Sequence, residues 1–213
     1  MVALMPAMTF DDLVAPVRAR LGHLPFDRLV FDATNARDYV VSANWALYIE
    51  NYLEGFHIPY VHNSLAVVID YGTYAVELEP CAVLQIALAK SGEPSLSAPP
   101  SHADAGKPVA AYYYWLFPTT MFNVYPWGVS VNVVVPLAVD RTRVSFLPFV
   151  WDETKREQGA GGGLDRVERE DAAIVEAVQR GVRSRLYERG RYSPTREGGV
   201  HHFHRLLAEF MNP

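Results

Sequence analysis

The chain has 213 residues, 50% of them hydrophobic and 20% charged, with a formal net charge of -5, which suits one globular domain that buries roughly 70% of its unfolded surface. The negative charge and the lack of any Lys/Arg run argue against a nucleic-acid partner. The longest apolar run, VSVNVVVPLAV at 129–139, is too short to cross a membrane.

The N-terminal residues MVALMPAMTFDDLVAPVRAR lack a basic leader, and Pro6 and Asp11 interrupt their apolar residues. We therefore predict no signal peptide and a cytoplasmic protein. Residues 9–22 predict a short helix. The single cysteine, Cys81, excludes an internal disulfide, a cysteine-rich zinc site and an iron–sulfur cluster held by this chain alone. We expect it to be a small buried residue in a strand.

Residues 37–44 predict a strand that leads into a helix from 44 to about 57. Apolar side chains recur in that helix at three- and four-residue spacing: Trp45, Ile49, Tyr52, Leu53 and Phe56. Pro59 discourages its continuation. Glu50, Glu54 and His57 are spaced to share one helix face.

The middle of the chain predicts five to seven short strands, rich in aromatic and β-branched residues, with turn residues between them. Residues 91–108 predict a long loop. GAGGG at 159–163 lacks the Lys-Ser/Thr of a phosphate-binding motif and predicts a flexible link. A mainly antiparallel sheet between an early and a late helix is an α+β layout, in which the late helix covers the open side of the sheet.

The late helix is predicted over about 165–189, with Asp165 and Glu168 as a capping box. Its apolar stripe contains Val167, Ile174, Val175, Val178, Val182 and Leu186. Asp171 falls on this stripe, where a carboxylate is costly unless it is paired or bound to a metal. From the helix alone, a neighbouring arginine and a metal ion are equally acceptable partners.

His57 and His62 are five residues apart, a spacing less diagnostic than the i, i+4 pair of helical zinc sites. A lone histidine near a helix end is usually a structural residue. Two histidines and a distant carboxylate, without cysteine, are however the ligand set that holds non-haem Fe(II) and leaves positions open for oxygen and substrate.

The stretch NWALYIENYLEGFHIPYVH (44–62) resembles the NWK…EN…E/D-x-x-H-x-x-x-x-H signature of the catalytic domain of Rieske non-haem iron oxygenases, the α subunits of ring-hydroxylating dioxygenases. The likeness continues through MFNVYPWGVSVNVVVPL (121–137) and the segment from 169 to 207, and covers the chain from about residue 37. It implies a helix-grip fold, also called START-like or Bet v 1-like: a curved antiparallel sheet with a long C-terminal helix.

The resemblance implies that His57, His62 and Asp171 hold one Fe(II) ion. Glu170 is the rival third ligand, but it lies off the apolar stripe. Glu54 matches a catalytic acid that links the iron of one subunit to the Rieske cluster of its neighbour. A Glu there resembles relatives that oxidise quaternary ammonium compounds, although Glu54 can also be a solvated helix residue.

The family's Rieske [2Fe–2S] domain cannot be supplied by this chain, so residues 1–36 are interpreted as a linker after an absent Rieske domain and 37–213 as the mononuclear-iron catalytic domain. A natural truncation, a split gene and a prepared fragment all remain open. The implied partners are O₂, a small aromatic or quaternary ammonium substrate, and a Rieske and reductase electron donor. A homo-oligomer, with a trimer favoured, is also implied.

Several aromatic side chains of the predicted sheet can line a pocket or pack in the core: Trp115, Phe117, Phe122, Tyr125 and Trp127. We select Asn123, Tyr125 and Trp127 as substrate-pocket candidates. HHFH at 201–204 is interpreted as a structural or surface cluster. The favoured function is the oxygen-activating domain of a Rieske-type mono- or dioxygenase. The alternatives are a START-like ligand-binding module without turnover and, with less support, zinc-dependent hydrolysis.

Overall fold

A computed structural model describes residues 8–212. Its helices are α1 (Phe10–Leu21), α2 (Trp45–Glu54), α3 (Ile58–Val61), α4 (Asn63–Val68), α5 (Leu164–Val182) and α6 (Gly198–Met211). Its strands are β1 (Val30–Phe31), β2 (Arg37–Val41), β3 (Ile69–Glu79), β4 (Ala82–Ala89), β5 (Val109–Leu116), β6 (Thr120–Tyr125), β7 (Gly128–Ala138) and β8 (Arg141–Val150). Within this range, no helix combines the length and apolar character needed to span a membrane.

All eight described strands form one antiparallel sheet in the order β1-β8-β7-β6-β5-β4-β3, with β2 also paired to β8. This confirms the α+β prediction, including the antiparallel sheet and the long late helix, which is α5. The sheet has more than the predicted five to seven strands for two reasons. The two-residue β1 gives too short a signal, and residues 121–139 form two strands that turn at Pro126 and Trp127.

Both faces of the central strands are covered, because successive side chains of a strand point to opposite faces. On one face, Trp115 of β5 packs with Leu53 of α2, Val175 of α5 and Phe203 of α6. On the other face, the adjacent Tyr114 packs in a cluster that includes Leu21 and Val14 of α1. The helices α2, α5 and α6 therefore lie on the face that contains the candidate site.

Residues near the N-terminus are tied to the sheet by a buried ion pair. The guanidinium of Arg20 donates to Asp104, at 2.8 Å, and to Glu77 of β3, at 3.0 Å. Asp104 is fully buried and also accepts from Lys107 and from the Tyr112 hydroxyl. The helix α1 and the loop at 91–108 are thus parts of the same packed body. A domain boundary at residue 36 stays a prediction.

Two predicted helix boundaries are wrong. The helix α2 ends at Glu54, because Gly55 adopts a left-handed conformation with φ of +58°, and Pro59 lies in the first turn of α3, where proline is tolerated. His57 therefore does not share a helix face with Glu50. The helix α5 ends at Val182 rather than at 189, so Leu186 lies outside it and is 84% exposed.

The predicted capping box of α5 is also wrong. The cap is Gly163, which has no side chain to accept a hydrogen bond. Asp165 instead accepts from Tyr39 and Arg169, and Glu168 accepts from the Tyr48 hydroxyl of α2 at 2.9 Å.

The GAGGG segment is not a flexible link. Residues 159–161 form a 3-10 turn in which Ala160 and Gly161 are buried, and the indole of Trp127 donates to the Gly161 carbonyl at 3.1 Å. Cys81 lies in the turn between β3 and β4 and is only partly buried, so its placement in a strand is wrong.

The helix α6 was not predicted from the sequence. Two histidines of HHFH connect α6 to neighbouring elements. His202 is buried and donates to the Glu79 carbonyl of β3 at 2.7 Å, and His204 lies 2.9 Å from the Glu50 carboxylate of α2.

Gly161→Ala is expected to destabilise the fold by about 1–3 kcal/mol, the usual cost of overpacking. An added Cβ would lie 2.1 Å from the Trp127 indole nitrogen and 2.9 Å from Cγ of Tyr125. Urea unfolding measures this loss. Gly181→Ala is the matched control, because nothing lies within 4 Å of its Cβ position, and it is expected to gain roughly 0.5–1 kcal/mol. Equal stability of the Gly161 variant and the wild type would mean that the segment is not packed.

Candidate metal centre

The chain between α2 and α3 is shaped by the side chain of Glu54. One carboxylate oxygen of Glu54 accepts from the backbone N–H groups of Phe56, at 2.6 Å, and His57, at 3.1 Å. The left-handed Gly55 lets the chain reverse closely enough for these contacts. The result is a tight corner that directs the His57 imidazole back towards the sheet side of α2, where it borders a cavity.

The single turn of α3 places His62 beside His57. The backbone N–H of His62 donates to the Ile58 carbonyl at 3.0 Å, which closes that turn. The two imidazole rings lie with their centroids 4.9 Å apart and nearly perpendicular. His62 is 1% exposed, so this histidine is fully enclosed by protein.

The third component comes from α5, more than one hundred residues later in the chain. The Asp171 carboxylate faces α2, where the Asn51 side-chain amide donates to its Oδ1 atom at 2.7 Å. The apolar stripe correctly indicated an inward-facing carboxylate. No lysine or arginine nitrogen of the described residues lies within 4.0 Å of it, so Asp171 does not pair with an arginine there.

Three electron-rich atoms converge at this point. Nε2 of His57 lies 3.0 Å from Nε2 of His62, and Oδ1 of Asp171 lies 3.1 Å from His62 Nε2 and 3.4 Å from His57 Nε2. Ligand atoms about 2.1 Å from one ion and at right angles to each other would be about 3.0 Å apart. The spacing of these donor atoms therefore fits three adjacent positions around a single small cation.

The far side of each imidazole is held by a carboxylate. His57 Nδ1 donates to Glu54, and His62 Nδ1 donates to Glu170 at 2.8 Å. Carboxylates in this position fix the tautomer of a metal-binding histidine and leave Nε2 free to bind the metal. Glu170, the rival third ligand, thus lies behind His62, where it also accepts from Arg166 at 3.0 Å.

The pKa values of the three side chains also reflect how close their ligand atoms lie to one another. Burial alone would raise the pKa of Asp171, but hydrogen bonds from His57 and His62 lower it to about 2. Burial works to lower the pKa of His57, and hydrogen bonding to Asp171 and Glu54 outweighs it and raises the pKa to about 9. The pKa of His62 is raised against burial in the same way. The site between His57, His62 and Asp171 therefore stabilises positive charge.

Glu54 is largely buried, with 13% of its side chain exposed, so it is not a solvated helix residue. Within the described part of the chain, His57, His62 and Asp171 are the only group of three His, Cys, Asp or Glu residues whose donor atoms are close enough to share a metal. The histidines of HHFH form no such group there.

A small cavity of about 80 Å³ adjoins the three donors. Tyrosines from both the helices and the sheet line it: Tyr48, Tyr52, Tyr74, Tyr113 and Tyr125. Asn123 also lies on its wall and accepts from the Tyr52 hydroxyl at 2.7 Å. Two of the three pocket candidates, Asn123 and Tyr125, therefore face this cavity.

Trp127 does not line the same cavity. It stacks against Tyr125 with centroids 5.4 Å apart and borders a second cavity of about 450 Å³. The chain leaves β6 at Tyr125 and turns, so the alternation of side chains along β6 stops before Trp127. Trp115 belongs to the packed core instead.

Sequence reasoning did not assign three polar residues to this site: Asn51, Tyr48 and Glu168. Of these, Glu168 was interpreted only as part of a capping box. A usable signal was present in α2, where Tyr48, Asn51 and Tyr52 follow helical spacing and share the cavity face. Glu168 precedes Asp171 by three residues on the same face of α5. Burial, with repulsion from Asp171 added, raises the pKa of Glu168 well above its usual range.

Comparisons with curated proteins find relatives named as choline and carnitine monooxygenases. Chloroplastic choline monooxygenase of Arabidopsis thaliana is 32% identical over 177 residues, which are 80% of this chain and 40% of that protein. The carnitine monooxygenase oxygenase subunit of Escherichia coli K12 is 31% identical over 179 residues, 78% of this chain and 46% of that protein. The chain thus spans less than half the length of these curated relatives.

Solved structures share the fold. A quaternary ammonium Rieske monooxygenase, reported with carnitine oxidation by gut microbiota and inter-subunit electron transfer, matches with a TM-score of 0.73 at 24% identity. The match covers 96% of this chain and 57% of that one. Naphthalene 1,2-dioxygenase from Rhodococcus sp. bound to indole matches with a TM-score of 0.72 at 15% identity, over 97% of this chain and 63% of that one.

The family model described as ring hydroxylating alpha subunit (catalytic domain) matches residues 26–212. This range includes the strands, the three converging donors and the helix α6. The resemblance found in the sequence is thereby confirmed. The chain belongs to the family of ring-hydroxylating α subunits, and the part that matches is their catalytic domain.

Proposed function

We propose that His57, His62 and Asp171 hold one Fe(II) ion. The observation that carries this proposal is the convergence of two imidazole nitrogens and one carboxylate oxygen, with each ring backed by a carboxylate. Two histidines and one carboxylate are the ligand set of oxygen-activating non-haem iron, and they leave coordination positions for O₂ and substrate. When bound, iron supplies the activation of O₂ that no side chain provides.

The activity proposed on this basis is oxygenation of a small organic substrate. Insertion of one oxygen atom into a C–H bond uses O₂, two electrons and two protons, and it yields the hydroxylated product and water. The chain contains one cysteine, so a Rieske cluster with two cysteine ligands must be held outside these residues. The electrons come from such a cluster and its reductase.

The substrate class proposed is a quaternary ammonium compound. Two observations support it: the relatives with about 30% identity are named choline and carnitine monooxygenases, and the cavity beside the donors is lined mainly by tyrosines. Aromatic faces attract quaternary ammonium groups through cation–π interactions. In this cavity, Asn123 and Tyr125 would orient the substrate, while Trp127 supports Tyr125 from behind.

Glu54 has two roles in this proposal. Its hydrogen bond to His57 Nδ1 holds that ring with Nε2 directed at the other donors. Because Glu54 lies next to His57 on the side away from the cavity, we also assign it the passage of electrons from a Rieske cluster carried by a neighbouring subunit. This arrangement calls for a homo-oligomer, and the form that we propose is a trimer, in which each subunit serves the next around a ring.

Asp171→Ala is expected to abolish iron retention, because it removes the one anionic ligand and leaves only the two imidazoles. Glu170→Ala is the matched control from the adjacent position. It removes only the support behind His62, so iron stays bound with affinity reduced by about 10- to 100-fold. Iron per chain, measured after anaerobic loading with Fe(II) and desalting, distinguishes the two variants.

Retention of iron by the Asp171 variant together with its loss from the Glu170 variant would make Glu170 the ligand. Circular dichroism of both variants verifies that the fold is intact. An absence of iron in the loaded wild-type protein would favour a ligand-binding module without turnover.

Glu54→Gln is expected to keep iron bound and to slow substrate oxidation when a Rieske protein supplies the electrons, since the amide retains the side chain's shape but loses its charge. Hydrogen peroxide, which carries both oxygen and electrons, provides the comparison. Oxidation driven by peroxide should stay near the wild-type rate. Equal losses with both electron sources would limit Glu54 to positioning His57, and unchanged rates with both would remove it from the mechanism.

A further inference from the structure

We propose that Glu168 is the specificity-determining anion of the cavity, and that its carboxylate pairs with the cationic head group of the substrate. The inference deepens the proposed function and rests on it. It assigns the preference for a positively charged substrate to one side chain that is neither a metal ligand nor a support for one.

The position of Glu168 is defined by α5. It precedes Asp171 by three residues, a rise of roughly 4.5 Å along a helix, so the two carboxylates lie about one turn apart on the same face. Glu168 borders both the small cavity beside the donors and the larger second cavity. A ligand that contacts Glu168 in the small cavity therefore also lies close to the proposed iron position.

The carboxylate of Glu168 has no cationic partner in the described part of the chain. No lysine, arginine or histidine nitrogen lies within 4.0 Å of it there, although the same helix provides such partners to Asp165 and Glu170. Its hydrogen bond comes from the neutral Tyr48 hydroxyl at 2.9 Å. A carboxylate in this setting is costly for the folded protein, and a glutamine would accept the same hydrogen bond without that cost.

The surroundings of Glu168 suit an alkylated ammonium ion. The rings of Tyr48, Tyr52 and Tyr113 lie on the wall of the same cavity, and aromatic faces are a recognised means of binding such cations. The side-chain amides of Asn51 and Asn123 add dipoles but no charge. A cation in this cavity offsets the burial that disfavours ionised Glu168, and Glu168 in turn selects cations over neutral molecules of equal shape.

The experiment compares choline with 3,3-dimethylbutan-1-ol, its neutral isostere, in which carbon replaces the ammonium nitrogen. Binding to the Fe(II)-loaded full chain is measured by anaerobic titration calorimetry. The wild-type protein is expected to bind choline more tightly than the isostere. In Glu168→Gln, choline affinity should fall by roughly tenfold or more, as expected for loss of a charge-assisted contact, while affinity for the isostere stays the same or increases.

Two further variants isolate the charge of Glu168. Glu168→Asp keeps the charge and should retain a preference for choline. Glu176→Gln removes the same charge from α5 at a position outside both cavities, where the side chain accepts from the Ser42 backbone N–H, and should leave both affinities unchanged. Iron content and thermal unfolding of each variant verify that the site and the fold are intact.

Equal choline affinity in the wild type and in Glu168→Gln would overturn the assignment of Glu168 and leave the proposed substrate class standing. A parallel loss of both ligands in Glu168→Gln would also overturn it, since that result reports a change of cavity shape. A wild-type protein that binds the isostere as tightly as choline would overturn the cationic substrate class itself, while the iron measurements above would still test the oxygenase.

Discussion

The site depends on a carboxylate at the contact between α2 and α5. In that contact, Asp171 lies next to the Asn51 amide and two imidazoles. Starting from this contact, α5 forms the side of the cavity opposite the sheet. Without a positive charge between the three ligand atoms, their lone pairs repel one another. A bound cation removes this repulsion, so the binding of a cation and the contact between α2 and α5 both favour the same close spacing of His57, His62 and Asp171. Stability of the helical layer and occupancy of the site are therefore coupled.

The local chain geometry serves this arrangement at each step. A left-handed glycine ends α2, the side chain of Glu54 holds the following corner, and one turn of α3 returns His62 to the level of His57. The sheet contributes a rigid wall, because β5 is buried on both faces by α1 on one side and by the helical layer on the other.

Much of the fold and of the candidate site could be predicted from the sequence, because strands and amphipathic helices leave patterns within short stretches of the chain. Short runs of aromatic and β-branched residues with turn residues between them predicted the antiparallel sheet, and Asp171 was conspicuous as a carboxylate on an apolar helix face. The errors arose where one pattern has two physical causes. Asp165 and Glu168 have the spacing of a capping box, which is also the spacing of a helix face, and only the Tyr48 hydroxyl on α2 shows that Glu168 turns inward. Likewise, the glycines at 159–163 permit close packing as readily as flexibility, and the Trp127 indole that packs there is distant in sequence.

The left-handed conformation of Gly55 has a consequence for engineering the cavity. A side chain at this position would be strained by its backbone and would approach the Tyr74 ring at 3.1 Å and the Gln85 amide oxygen at 3.3 Å. Gly55 supplies no functional group, but its close packing against the sheet fixes the backbone that directs the His57 ring. Libraries intended to broaden substrate range are better directed at Leu65 or Ala160, which border the cavity without setting the backbone path to a donor.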